Sequence, residues 1–468
     1  MGIDKFHKWL SKTYPSSVSN DEGCKYYDNV YIDINCLLHR VISGSLNERI
    51  LFCKLYSCID NILVANVPIK RLVLAVDGTA PFAKILLQRK RRLKLSRNMD
   101  AENVTYVNPL QFTPGTKFMK SLPEKISKYI KKIELTYKIS VEFRLGSGEA
   151  EFKLMSQILS RVNENHLIIS TDADVIIMAC ALNIRNIRVN NLKYIISIDE
   201  LLRSHKIKMG LSKKYDSGKD FMFISLFLGN DYLPKLNFVN ADKLWNAYKY
   251  ACEICKNNVS VPLGCFLENN LNYEFLKIFL RKLVVDLAKK WINRFEIRNY
   301  DPNMYQKYID GLKWCSLSYT TGTCDSIDYM YNFESPHPFG LIFYLESELD
   351  KIKKVTNNDL NTEKVTVPED IYAILVLPKS SLHLLDKKYH KIDSCLDFLY
   401  TEELCPNCIE FYENLRNLHK NLAQEKSDVT RKNITKLVSK IGKHKATHKD
   451  IGIKEINFAI NYLTKLVC

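Results

Sequence analysis

Seven carboxylates stand where an apolar run gives way to a turn. Asp33 closes "NVYID", Asp77 closes "RLVLAVD", and Asp172 and Asp174 follow "HLIIST". Glu149 and Glu151 lie in "GSGEAEFKLM", where glycines precede a helix start, and Asp231 lies in the turn of "LFLGNDYLP". One acid in such a place is ordinarily a helix N-cap or a turn former. Seven ask for more. If the strands are parallel, their ends converge on one rim. Carboxylates a few ångströms apart raise one another's pKa and need cations to stay ionised. Mg²⁺ suits such a site, because carboxylates, waters and phosphate oxygens are its ordinary ligands. A pair of ions roughly 3.5–4 Å apart supports phosphodiester cleavage. The pattern points to a metal-dependent nuclease.

A cationic segment follows Asp77 directly, in "DGTAPFAKILLQRKRRLK". Pro81 suits a first helical turn. From there Lys84, Gln88, Arg91 and Arg92 fall at i, i+4, i+7 and i+8, one face of a helix. Such a row of donors can grip a phosphate. It can equally be a solvated basic face, or a nuclear-localisation string in "RKRR". The whole chain carries 68 Lys and Arg against 52 Asp and Glu, a surplus of 68 − 52 = 16. That favours a polyanionic partner, either nucleic acid or an acidic membrane surface.

The elements that must position these residues alternate. "NVYIDI" (29–34), "RLVLAV" (71–76), "ISVEFRL" (139–145) and "HLIIST" (166–171) read as strands. Residues 116–138 read as a helix, with Phe118, Met119, Leu122, Ile126, Tyr129, Ile130 and Ile133 on its apolar side. The alternation implies an α/β fold with a mostly parallel central sheet flanked by helices, followed by a mainly helical C-terminal region. Residues 273–298 read as one long helix, with Leu276, Phe279, Leu280, Leu283, Leu287, Trp291 and Ile292 on its stripe. Residues 301–345 read as aromatic-rich and irregular, and "TNNDLNTEK" (356–364) as a linker or surface loop. The Lys-rich residues 426–449 read as a solvated helix face rather than a nucleic-acid contact.

Taken together, "MGIDKFHKWLSKTYP", "YIDINCLLH", "DGTAPFAK", "FTPGTKFM", "GEAEFKLM", "TDADVIIMA" and "FLGNDYLP" resemble the 5′→3′ exoribonuclease (Xrn) family, within the PIN/flap-endonuclease-like nucleases. The resemblance covers residues 1–240 almost continuously and returns at 311–339 and in "VPEDIYAILVLP" (367–378). It implies that Asp33, Asp77, Glu149, Glu151, Asp172, Asp174 and Asp231 hold two Mg²⁺ ions, with Mn²⁺ as a substitute. It implies that Lys84, Gln88, Arg91 and Arg92 form a pocket for a 5′-monophosphate, and that His39 stacks on the leading base. Where the family places a pair of Trp, this chain has Ser326 and Asp328; Tyr329 or Tyr331 are the candidate replacements. Asp4 and Phe152 replace a Pro and a His of the family pattern. The expected activity is 5′→3′ decay of single-stranded RNA with a 5′-monophosphate, such as decapped mRNA, by a monomer in the cytoplasm or nucleus, fed by decapping enzymes. A flap or 5′-exonuclease acting on DNA and a non-catalytic RNA-binding protein are the alternatives. A nuclease domain over 1–240, a helical and aromatic region over 241–400 completing the core, and a basic segment over 401–468 are expected. The chain looks like a catalytic core without long C-terminal extensions.

No run of 18 apolar residues occurs, which argues against a membrane span. The N-terminus carries charges where a signal peptide needs an apolar stretch, and Phe6 breaks a myristoylation pattern at Gly2. The 14 cysteines are then expected to be reduced thiols. Two Cys-x-x-Cys pairs, Cys252/Cys255 and Cys405/Cys408, would together supply four thiolates for zinc. Their separation, and the helical reading of "YACEICKN", favour plain thiols instead.

Overall fold

The strands form where β-branched and aromatic residues run without interruption, because a parallel strand is buried on both faces. In the computed structural model these are β1 (Val18–Ser19), β2 (Lys25–Asp33), β3 (Asn66–Ala75), β4 (Ser140–Arg144), β5 (His166–Ile169), β6 (Ile187–Asn190) and β7 (Ile195–Ser197). The structure describes residues 3, 6–20, 25–98, 107–258, 260–268, 270–287, 300–324, 326–348, 367–390, 394–425, 427–448 and 451–467. The sheet order is β1-β7-β6-β5-β2-β3-β4. Strands β2 to β6 are mutually parallel, and β7 and β1 add antiparallel at one edge. Val30, Tyr31, Ile32, Leu72, Val73, Leu74, Leu167, Ile168 and Ile169 are wholly buried.

Register matters more than strand count. Asp33 pairs with Ala75 across β2 and β3, Ile32 pairs with Ile169 across β2 and β5, and Ala75 pairs with Arg144 across β3 and β4. The carboxyl ends of four strands therefore finish at one level, three residues or fewer from Asp33, Asp77 and Asp172 or one short loop from Glu149. This is the α/β fold with a mostly parallel sheet that the alternation implies. The four expected strands are present; β1, β6 and β7 are additional, as is a separate antiparallel pair of Phe266–Leu267 with Asn270–Leu271.

By its contacts the chain divides into two units. One comprises Met1–Ser43, Arg49–Lys84 and Ile126–Thr366, and holds the sheet. The other comprises Gly44–Glu48, Ile85–Lys125 and Val367–Cys468. The helix Phe82–Asn98 begins in the first and continues in the second.

Residues 301–345 depart from expectation. They contain two helices, Pro302–Thr321 and Pro338–Ser347. The framing is local. Asp301 caps the first by accepting from the Asn303 amide at 2.9 Å, Pro302 sits in its first turn, and Gly322 ends it at φ +64. Its buried Tyr305, Tyr308 and Tyr319 read as irregular aromatic sequence only until the caps are noticed. The helix expected over 273–298 runs Tyr273–Val285; Trp291 and Ile292, like the loop at 356–364, lie outside the described residues. Among the described residues no helix is long and apolar enough to cross a membrane.

In the second unit, Arg89 donates to the carbonyls of Leu375 and Leu399. Gly115 lies so close to Glu369 that a Cβ there would sit 2.1 Å from its carbonyl oxygen. A pair of helices, Pro406–Glu425 and Asp428–Lys445, is joined by a two-residue connection, and Ile453–Val467 follows. The Lys-rich helix Asp428–Lys445 buries one side chain, Ile441, so its reading as a solvated face describes most of its length.

Candidate active site

Each acid reaches the rim by a local device. Asp33 ends β2 and caps the helix Ile34–Val41, its Oδ1 accepting from the Cys36 amide at 3.0 Å. The Ser170 hydroxyl donates to its other oxygen at 3.4 Å. Asp172 caps the helix Ala173–Ala181 by accepting from the Asp174 amide at 3.1 Å, which leaves the Asp174 side chain in the first turn. Asp231 follows Gly229, whose φ of +81 makes the turn, and the Asn230 side chain accepts from the amides of Tyr232 and Leu233.

Asp77 and Glu149 meet because two loops zip together. Gly78 donates to Gly148 O at 2.8 Å, and Gly148 donates back to Thr79 O at 3.0 Å. Asp77 accepts from the Ala150 amide at 3.0 Å, and its own amide donates to Asn35 Oδ1 at 3.0 Å. The approach is so close that a Cβ on Gly78 would fall 1.9 Å from Gly146 O. Lys153 completes the joint, its ammonium donating to Val76 O at 2.6 Å and to Gly146 O at 2.7 Å.

Lys84 lies inside this cluster. It is 6% exposed, and its Nζ donates to Glu149 Oε1, lies 3.0 Å from Asp231 Oδ2 and 3.9 Å from Glu151 Oε1. The Tyr232 hydroxyl donates to the second Glu149 oxygen. Behind it stand Phe152, Tyr319 and Trp314, whose ring centroids lie 6.4, 6.5 and 5.2 Å from that of Tyr232 in tilted and edge contacts. Phe152 is thus part of an apolar backing to the acids.

The electrostatics are unfavourable as they stand. Seven carboxylates face the one Lys84 ammonium, a formal 1 − 7 = −6 if all are ionised. Burial, then Asp77 and Asp172, push the Asp33 carboxyl up to about 7. Burial and Glu149 hold Glu151 well above the ordinary carboxylate range, and burial with Asp172 and Asp231 does the same to Asp174. Glu149 is raised chiefly by burial, with Lys84 opposing. For Lys84 burial alone would favour the neutral amine, but Glu149, Asp231 and Glu151 outweigh it and keep the ammonium charged. Asp174 Oδ1 is buried with no hydrogen-bond partner. An orphaned carboxylate oxygen beside crowded, partly protonated acids fits a divalent cation. Asp33, Asp77, Glu149, Glu151, Asp172, Asp174 and Asp231 are the residues able to hold one.

The remaining sequence candidates fall elsewhere. Gln88, Arg91 and Arg92 share the helix Phe82–Asn98 with Lys84 but belong to the second unit. There Arg92 donates from Nε to the Thr113 hydroxyl at 2.8 Å and to the Gln88 side chain. His39 is exposed in the last turn of the helix Ile34–Val41. Tyr329 stacks on Trp314 at 5.1 Å and donates to Lys307 O, and the Tyr331 hydroxyl donates to Glu334 O. Tyr232, Asn35, Asn230, Lys153 and Thr113 were not singled out by sequence. Tyr232 follows Asp231 directly and Thr113 lies within "FTPGTKFM", so adjacency to a motif was the available signal. Cys252 and Cys255 are buried on the helix Ala241–Asn257, as plain thiols.

The site is thus a cluster of acids gathered at the carboxyl rim of a mostly parallel sheet in an α/β domain. Residues 1–191 match the family model described as XRN 5'-3' exonuclease N-terminus. The 5'-3' exoribonuclease 1 of Schizosaccharomyces pombe is 28% identical over 296 residues, 50% of this chain and 22% of that protein. The 5'-3' exoribonuclease 1 of Saccharomyces cerevisiae is 27% identical over 364 residues, 64% and 23%. The 5'-3' exoribonuclease 2 of Candida albicans is 23% identical over 397 residues, 60% and 40%. The matched part is less than half the length of each of these relatives.

Two outcomes follow from the geometry. Raised carboxyls mean that the folded, metal-free chain binds more protons than the unfolded chain between the ordinary carboxylate range and about 7. Its stability therefore falls as pH rises through that window. Asp174→Asn should stabilise the chelated protein at pH 7.5, and by less at pH 5.5. Thermal melts with EDTA at both pH values check this, and a variant less stable than wild type at pH 7.5 would contradict it. Gly78→Ala should cost about 1–3 kcal/mol by overpacking against Gly146, measured by denaturant unfolding.

Proposed function

We propose that the chain is a Mg²⁺-dependent 5′→3′ exoribonuclease. It removes mononucleotides from single-stranded RNA carrying a 5′-monophosphate, such as decapped mRNA, and acts as a monomer. The observation that carries this reading is the set of seven carboxylates at one rim, with Asp174 Oδ1 buried and unpartnered. The match of residues 1–191 to the family model described as XRN 5'-3' exonuclease N-terminus supports the 5′→3′ polarity and the RNA substrate.

The acids hold the ions, and Mn²⁺ can replace Mg²⁺. Divalent cations bound there supply Lewis-acid charge for water attack on a phosphodiester. The chain's own residues do the rest. Asn35, Lys153 and the glycine loops fix Asp77 and Glu149, and Tyr232 orients Glu149. Lys84, Gln88, Arg91 and Arg92 receive the terminal phosphate; the fork of an Arg binds it bidentately and Lys supplies a point charge. A site that requires a terminal monophosphate excludes a cap and sets one end of the chain at a fixed place. His39 stacks on the leading base without reading its identity, which leaves the enzyme indifferent to sequence.

End-labelled 5′-phosphate RNA and a DNA flap, each with Mg²⁺, test the reading. Wild type should degrade the RNA to mononucleotides, and Asp172→Ala/Asp174→Ala should abolish decay. Cleavage of the flap in preference to RNA would instead favour a DNA 5′-nuclease, and binding without decay a non-catalytic RNA-binding protein. Arg92→Ala should slow decay of 5′-phosphate RNA roughly 10- to 100-fold, the loss expected for one or two charge-assisted hydrogen bonds. Decay of 5′-hydroxyl RNA should change little. Equal slowing of both substrates would remove Arg92 from the phosphate pocket.

A further inference from the structure

We propose that Cys405, Cys408, His444 and His448 bind one structural zinc ion in the second unit. Among the described residues this is the group of four whose ligand atoms all lie within 4.8 Å of one another. Cys405 Sγ is 3.3 Å from His444 Nε2, Cys408 Sγ is 3.5 Å from His448 Nε2, and the two Nε2 atoms are 3.3 Å apart.

Those separations are the edges of a zinc tetrahedron. With Zn–S of about 2.3 Å and Zn–N of about 2.0–2.1 Å, ideal tetrahedral edges are about 3.5–3.6 Å between S and N and about 3.3–3.4 Å between N and N. Protons can pair such atoms two by two, but they give no reason for four ligand atoms to converge on one point. The two imidazoles present the same nitrogen, with ring planes at 90° and centroids 5.0 Å apart, so their Nε2 lone pairs can share a centre without the rings clashing.

The chain order gives an independent argument. Two residues separate the cysteines and three separate the histidines, as in Cys-x₂₋₄-Cys and His-x₃₋₅-His zinc sites. Cys408 lies in the first turn of the helix Pro406–Glu425, and His444 in the last turn of the helix Asp428–Lys445. Two antiparallel helices bring those turns together at the end of the hairpin away from its connection. His448 follows in the next turn.

The hairpin also needs a staple. Phe411, Cys408 and Ile441 are buried in it, whereas Ile409, Val429 and Val438 are exposed. Helices with so small a core commonly rely on a metal or another cross-link. Two thiolates and two imidazoles select a soft or borderline ion in tetrahedral geometry, and disfavour Mg²⁺ and Ca²⁺. Four protein ligands close the coordination shell, which is the mark of a structural site rather than a catalytic one.

The full chain, purified without chelator and dialysed, tests the site by metal analysis. About one zinc per chain is expected. Asp172→Ala/Asp174→Ala should retain it, because the acids at the sheet rim are a separate site, and Cys408→Ser/His448→Ala should lose it. On wild-type protein, zinc should slow alkylation of Cys405 and Cys408 at least about tenfold relative to chelated protein, read by peptide mapping, because a coordinated thiolate is masked. That measurement needs no variant to fold. Absence of zinc from wild type together with no uptake on addition, zinc retained by Cys408→Ser/His448→Ala, or equal alkylation with and without zinc would each overturn the proposal.

Discussion

Repulsion among carboxylates governs the rim of the sheet. The parallel register brings β2, β3, β4 and β5 to an end at one level, and each strand delivers an acid there. Backbone amides and caps hold the acids in place against that repulsion: the Cys36 amide on Asp33, the Ala150 amide on Asp77, the Asp174 amide on Asp172. The Lys84 ammonium offsets part of the charge, through Glu149 and Asp231. The arrangement spends folding free energy on a concentration of negative charge, as the proposed cation site requires.

The devices that hold the acids are mostly backbone devices. Gly78 and Gly148 let two loops exchange amide bonds, and a side chain at Gly78 would collide with the Gly146 backbone. Rigid supports of this kind set a metal or substrate site more precisely than flexible loops do. The aromatic residues Phe152, Tyr232, Tyr319 and Trp314 keep water from the rear of Glu149, which strengthens its bonds to Lys84 and Tyr232.

Much of this is legible in sequence for a simple reason. An acid directly after an apolar run marks a strand end, and the strand direction does the rest. Asp33, Asp77, Asp172 and the four central strands are accessible on that basis, whereas Glu149, Glu151 and Asp231 are marked instead by the glycine turns that precede them. The orientation of Lys84 is not legible in this way. Helical spacing places it in a row with Gln88, Arg91 and Arg92, but only packing of that first turn against Glu149 buries it. The two helices within 301–345 were hidden by their tyrosines, which resemble loop composition until Asp301, Pro302 and Gly322 are read as caps. His444 and His448 were hidden by the lysines around them. Charge dominates the pattern of that segment, and by spacing Cys405/Cys408 resembles Cys252/Cys255 before it suggests any pairing with imidazoles.

The interleaving of the two units carries a consequence for synthesis. The segment bearing Gln88, Arg91 and Arg92 has its partners far along the chain: Arg89 bonds Leu375 and Leu399, and Gly115 abuts Glu369. A nascent chain emerging from the ribosome must hold that segment for some 250 residues or more before those partners appear, while domains ordinarily fold as contiguous units in order of appearance. Over that interval an exposed cationic helix is a ready ligand for ribosomal and messenger RNA. Any shortened version ending before Val367 would keep the sheet and its acids but leave 85–125 permanently without those contacts.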